Sequence, residues 1–231
     1  MKKSNKLLLA GFFTGLLLIT AIHITLYAKY KAGNYTIYNS AEDLTPQSMH
    51  TFPNILFVSV RNVPGATVQF SNVAQVEKGE GVDIQYVQKG DTLLITGKKD
   101  AHREDFQDPV AFYLPHNATL SVFNSSLYFT AGKKIAGNNP VIYLQNSQAF
   151  FSGEAGPLQF GQVKVEASDS STLAFQGNTQ VNTLEVKLLN STIEYTEGNF
   201  GQLSIVTDSL SRISLQSKHL LKANIKSITA E

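Results

Sequence analysis

The chain has 231 residues, 42% of them hydrophobic, with 19 Lys and Arg against 18 Asp and Glu and no cysteine. That length holds one domain of moderate size or two small ones. The absence of cysteine excludes a disulfide framework and thiol-linked lipid, and the near-neutral balance excludes a broad basic surface for nucleic acid.

Residues 1–6 carry Lys2, Lys3 and Lys6 and precede LLLAGFFTGLLLITAIHITLYA at 7–28, a run with no formal charge unless His23 is protonated. Twenty-two residues of helix cover roughly 30 Å of hydrocarbon. The sequence therefore predicts one N-terminal transmembrane helix. Lys29 and Lys31 follow it, and the excess of lysine on the N-terminal side favours a cytoplasmic N-terminus. A cleaved signal peptide fits less well, because the apolar run is long and the residues before Lys29 lack a small-x-small cleavage pattern. His23 is read as a neutral imidazole near the outer interface, where Tyr27 and Tyr30 also suit the headgroup level. Setting aside Lys2, Lys3, Lys6, Lys29 and Lys31 leaves 19 − 5 = 14 basic residues against 18 acidic ones. The exported part, at −4, argues against nucleic acid or anionic lipid headgroups as the main partner, since both select for basic surfaces.

Residues 29–53 are polar, contain Pro46 and show no sustained periodicity, so they read as a linker. From residue 54 to 231 the chain has period-two character: ILFVSV at 55–60, ATVQF at 66–70, VDIQYV at 82–87 and TLLITG at 92–97, with Lys89-Gly90-Asp91 as a tight turn.

Beyond Pro109 a repeat emerges. Leu120-Ser-Val122, Val141-Ile-Tyr143, Val163-Lys-Val165, Leu184-Glu-Val186, Leu203-Ser-Ile205 and Ala223-Asn-Ile225 begin 21, 22, 21, 19 and 20 residues apart. A polar pair follows each of the first five: Asn124-Ser125, Asn146-Ser147, Asp169-Ser170, Asn190-Ser191 and Asp208-Ser209. Second strands then come at Leu127-Tyr-Phe129, Ala149-Phe-Phe151, Leu173-Ala-Phe175, Ile193-Glu-Tyr195 and Ile213-Ser-Leu215. Asn and Asp tolerate left-handed backbone angles, so each pair marks a bend. A strand turns alternate side chains to opposite faces, and stacking equivalent strands about 4.8 Å apart pools the apolar set into one column.

The expected fold is all-β: a single-stranded right-handed parallel β-helix, or solenoid, preceded by the transmembrane helix. Stacking by one period sets Lys164 beside Glu185 and Glu166 beside Lys187, opposite charges at both positions. The rival is a meander of antiparallel hairpins turning at the Asn/Asp-Ser pairs. The alternation of short polar connections with longer glycine-containing ones favours the solenoid.

No residue set announces a reaction. Asp100, His102, Arg103, Glu104, Asp105 and Asp108 form a mixed-charge block without metal-ligand spacing. His50, His116 and His219 are scattered, no G-x-S-x-G holds a serine nucleophile, and no phosphate-binding glycine motif occurs. Catalytic, cofactor-binding and metal residues are accordingly none. Parallel β-helices also cleave acidic polysaccharides, and Glu166, Glu185, Glu194 and Lys187 are the raw material for that alternative. Asn34, Asn117, Asn124 and Asn190 match the glycosylation acceptor pattern, which arises readily in a bend-rich chain. Lys218, Lys222 and Lys226 in the last repeat oppose open-ended strand pairing, which bears on a third possibility, a self-assembling envelope scaffold.

From about Asn54 to Ile228 the chain resembles the bacterial family named putative auto-transporter adhesin, head GIN domain. The resemblance is carried by GDTLLITG at 90–97, VAFYLPHNATLSV at 110–122 and the Ser-centred corners between short apolar strands. It implies a β-helix of the bacterial envelope with no catalytic residue. The expectation is thus an inner-membrane, single-pass, non-enzymatic protein. Its periplasmic or extracytoplasmic domain would serve adhesion or bind glycan or envelope protein, with the lipid bilayer as the anchor's partner and no nucleic acid.

Overall fold

The computed structural model describes residues 12–13, 15–17, 20, 23–25, 47–79, 82–98, 110–131, 139–195 and 198–228. The chain divides into two compact units, Met1–Leu44 and Thr45–Glu231. In the first, the described residues are helical. Among the described residues no helix is long and apolar enough to cross a membrane. The expected span at 7–28 lies largely outside the described residues, as does the block Asp100–Asp108.

Among its described residues the second unit is mostly strand. In chain order its elements are β1 (Gln47–Phe52), β2 (Phe57–Arg61), β3 (Ala66–Ser71), β4 (Ala74–Gly79), β5 (Ile84–Lys89), β6 (Thr92–Gly97), β7 (Val110–Pro115) and β8 (Thr119–Phe123). There follow β9 (Ser126–Thr130), β10 (Val141–Gln145), β11 (Gln148–Ser168), β12 (Thr172–Leu189), β13 (Thr192–Tyr195), β14 (Asn199–Thr207), β15 (Arg212–Ser214), the short helix α1 (Ser217–Leu220) and β16 (Asn224–Ser227). Residues 47–52, read from the sequence as the end of a linker, are therefore a strand, paired with β4.

These strands stack in two long columns, one on each side of a shared interior. The first runs β5, β6, β2, β8, β10, the end of β11, the end of β12, β14 and β16; the second runs β1, β4, β7, β3, β9, the start of β11, the start of β12, β13 and β15. A shorter third side places Leu158–Phe160 beside Thr179–Val181, with Gln180 and Val181 in turn beside Asn199 and Phe200. Every pairing from β8 and β9 to β16 is parallel, as are those that hold β2 and β3 in the stack, which overturns the antiparallel meander. The unit is a β-solenoid.

The second strands stack as the repeat alignment expects: Leu127, Ala149, Leu173, Ile193 and Ile213 lie in one row. Phe129, Phe151 and Phe175 form the next row, all fully buried. Their rings stack at 4.3 Å and 4.8 Å between centroids, and Phe70 extends the pile at 6.1 Å from Phe129. The core extends from Ile55 to Ile205, wholly inside Thr45–Glu231, so this unit has what it needs to fold alone.

The corners have a common chemistry. Asn62, Asn124, Asn146, Asp169 and Asn190 all have φ between 48° and 57°, the left-handed region that short amides tolerate. The serines after Asn124, Asn146 and Asn190 are buried and bond across the stack. Val63 N–H donates to Ser125 Oγ at 2.9 Å, Ser125 N–H to Ser147 Oγ at 3.2 Å and Ser147 N–H to Ser171 Oγ at 3.1 Å. Each hydroxyl also donates within its own corner, Ser125 to Phe123 O and Ser147 to Gln145 O. Buried amide N–H groups that the bend removes from the strand ladder are thereby satisfied. Outside the serines, Asn146 Nδ2 donates to Asn124 Oδ1 and Asn124 Nδ2 to Asn62 Oδ1.

Four details depart from the sequence reading. At 168–171 the corner holds an extra residue, so Ser171 rather than Ser170 is the buried serine, and Asp169 and Ser170 both take positive φ. At the last corner Ser211, not Ser209, accepts from Ser191 N–H, while Asp208 takes the Ser211 hydroxyl at 2.6 Å. That bond is the main cause holding the Asp208 carboxyl below its usual range. In β10 the inward residues are Ile142 and Leu144, not Val141 and Tyr143; Leu120 pairs with Ile142. A one-residue slip exchanges the two faces of a strand, and Val-Ile-Tyr-Leu is apolar on both.

The fourth departure concerns order. The strands β6 and β7 lie outside β2 and β3 in the stack, so β2 is held between β6 and β8, and β3 between β7 and β9. The end is closed by antiparallel strands, β5 folding back on β6 through Gly90 (φ 61°), and β4 with β1 on β7. Consecutive units are not all parallel neighbours. Gly97 allows the close fit, because a Cβ there would collide with the carbonyl of Asn62. Tyr113 donates to Glu77 at 2.7 Å across β7 and β4. Burial first, then the adjacent Glu77, raises its pKa to about 12.

Candidate functional site

Side chains that alternate with the buried ones cover the outside of the first column. One outward row reads Arg61, Phe123, Gln145, Ser168 and Leu189, and the next reads Ser59, Ser121, Tyr143, Glu166, Lys187 and Val206. Because Ser121 is small and its neighbours Phe123 and Tyr143 are large, the surface sinks between them. The result is a depression of about 450 Å³ lined by Arg61, Phe123, Tyr143, Gln145, Glu166 and Lys187 among others. It is continuous at Glu166 and Lys187 with a second hollow of about 270 Å³ that reaches Glu185 and Ser204. Phe123 and Tyr143 are 42% and 40% exposed, large rings left in water on a sheet whose other face is closed.

The polar groups around these rings are already oriented. Gln145 Nε2 donates to Asp169 Oδ2 at 2.8 Å, and Gln162 Nε2 donates to Glu185 Oε1 at 3.1 Å. The stacking of Lys164 beside Glu185 and Glu166 beside Lys187 is present in the register. The ion pair formed is nonetheless within one strand, from Lys164 Nζ to Glu166 Oε1 at 3.7 Å. Both partners are substantially exposed, so the pair contributes little stability.

Of the residues considered for glycan cleavage, Glu166, Glu185 and Lys187 lie together on this outer face, whereas Glu194 is in β13 of the second column, beside Ala174 and Ser214. His50 packs its ring on Tyr86 at 4.9 Å, His116 bonds Asn72 Oδ1 at 3.2 Å, and His219 is buried in α1. Among the described residues no three His, Cys, Asp or Glu side chains converge as a metal site. Asn124, a glycosylation match, has its amide in the corner ladder.

Sequence reasoning missed Arg61, Phe123, Tyr143 and Gln145 as a group. Aligning Val141-Ile-Tyr143 with Leu120-Ser-Val122 is one residue out of register and turns Tyr143 to the wrong face. Counting back from the corner recovers it: the inward residues fall two and four places before the Asn, at Val122 and Leu120 before Asn124 and at Leu144 and Ile142 before Asn146.

No protein-family model matches the chain, and no curated protein does. Among solved structures, a "putative adhesin" from Parabacteroides distasonis superposes with a TM-score of 0.54 at 14% identity, over 80% of this chain and 77% of that one. A second "putative adhesin", from Parabacteroides merdae, aligns at TM-score 0.47 and 13% identity over 80% of this chain and 76% of the other. The first likeness places the chain in a fold shared with the Parabacteroides distasonis protein.

Proposed function

We propose that the chain is a non-enzymatic binding protein of the bacterial envelope, akin to the head GIN domain adhesins, whose depression on the first column recognises glycan. One observation carries this reading: the exposed Phe123 and Tyr143 rings stand beside Gln145, Glu166 and Lys187 in one hollow. Aromatic faces accept the C–H faces of sugar rings, while amide and charged groups take up their hydroxyls, the combination expected of a shallow polar-ligand site. The adhesin description of the Parabacteroides distasonis protein supports it. In this reading 7–28 is the single-pass anchor, the N-terminus is cytoplasmic, and the solenoid faces the periplasm or the cell exterior.

A second reading, a carbohydrate-active enzyme, draws on Glu166 and Lys187 in the same hollow. The two are separated by probing residues 45–231 against envelope glycans and polyuronates. The binding reading expects retention without cleavage, weakened at least tenfold by Tyr143→Ala with the melting temperature unchanged. Turnover that disappears in Glu166→Gln reverses the ranking, and a Tyr143→Ala protein that binds normally removes the site.

A further inference from the structure

The two ends of the solenoid are finished differently. At the β5 end, Val82 and Ile84 are buried beneath antiparallel strands, as are Ala74 and Val76 in β4. At the other end the interior column surfaces. Ile225 of β16 pairs with the fully buried Ile205 and continues its row, yet it is 42% exposed. Ile213 of β15 pairs with the fully buried Ile193 and is only half-buried. The helix α1 covers part of the opening, seating His219 at 5.5 Å from the ring of Phe200. It leaves Leu221 87% exposed, and Leu210 at the preceding corner 73% exposed.

Charge at this end is predominantly basic. Residues 208–228 contain Arg212, Lys218, Lys222 and Lys226 against one carboxylate, Asp208, and all four cations are exposed. They are four of the fourteen basic residues beyond Lys31, in a part of the chain whose net charge is negative. Of the three lysines, only Lys226 lies on an edge strand; Lys218 is in α1 and Lys222 in the turn after it. Edge protection therefore accounts for one of them.

Exposed leucines with lysines in the same coil match the interface of an anionic bilayer, where apolar side chains enter the headgroup boundary and each nearby cation adds about 1 kcal/mol of attraction. We infer that the C-terminal end of the solenoid, Leu210, Leu221 and Ile225 with Arg212, Lys218, Lys222 and Lys226, docks on a lipid surface carrying anionic headgroups. A second copy meeting this end with its own would set four cations against four. A soluble polyanion would satisfy the lysines and leave the leucines in water.

The test is flotation of residues 45–231 with vesicles of phosphatidylcholine alone or with roughly one third phosphatidylglycerol. Binding is expected on the anionic vesicles only and falls as salt is raised. The triple substitution Lys218→Glu, Lys222→Glu and Lys226→Glu weakens it at least tenfold, and Leu210→Ser with Leu221→Ser weakens it several-fold at unchanged charge. Lys→Gln at the same three positions repeats the charge test should the reversal perturb folding, and Tyr143→Ala leaves vesicle binding as it was, separating this surface from the depression. Equal binding to neutral vesicles, or none to anionic ones, overturns the inference. So does full binding by the leucine variant, which marks a polyanion site, or vesicle-free association in sedimentation that the leucine variant abolishes, which marks a self-contact.

Discussion

Phe150 and Phe151 are adjacent in sequence and stand on opposite sides of the second column, and exchanging each for alanine separates interior from exterior. The Phe151 ring is stacked on Phe129 at 4.3 Å and 5°, on Phe175 at 4.8 Å and 16°, and meets the edge of Phe160 at 5.5 Å. Removing a buried Phe ring costs about 3 to 5 kcal/mol. Two stacks and one edge contact, each about 0.5 to 1.5 kcal/mol beyond area burial, put Phe151→Ala toward the top of that range. The cavity has little means of collapsing, because strand pairing holds the backbone on both sides. Phe150 is half-buried and stacks on Tyr128 at 5.0 Å, so Phe150→Ala should cost about 1 kcal/mol. The measurement is urea unfolding of residues 45–231 followed by far-ultraviolet circular dichroism and tyrosine emission, the chain having no tryptophan. Equal losses for the two variants, or a loss below about 1.5 kcal/mol for Phe151→Ala, refute the placement of the aromatic pile along the axis.

Ser147→Ala leaves the buried Ser125 N–H without its acceptor and should cost about 1 to 3 kcal/mol, read from the same unfolding curves. At Asn146, with φ 48°, alanine is expected to lose about 1 to 2 kcal/mol relative to glycine, and equal stability of the two variants would contradict the left-handed corner. The pKa of His219 is lowered, first by burial and then by Lys218 and Lys222. Its unfolded form takes up a proton near pH 6.5 while the folded form does not, so folding holds fewer protons and stability falls as pH drops through that value. Protection factors of the β16 amides, with the intrinsic exchange rate at each pH divided out, should fall on acidification below about pH 6.5 and lose that dependence in His219→Leu.

The sequence by itself determined the local terms. Alternation named the inward residues of most strands, and left-handed tolerance marked Asn124, Asn146, Asp169 and Asn190 as bends. The row from Leu127 to Ile213 follows because a strand's two faces and a corner's backbone angles depend on residues a few positions apart. Only the tertiary structure decided which edges meet. Either side of a parallel coil offers the same backbone donors and acceptors, so nothing local tells β6 to lie outside β2 while β8 takes the opposite edge. The depression belongs to that second class. Arg61, Phe123, Tyr143, Gln145 and Glu166 are up to 105 residues apart in the chain, from 61 to 166, and became neighbours through the stacking of coils alone.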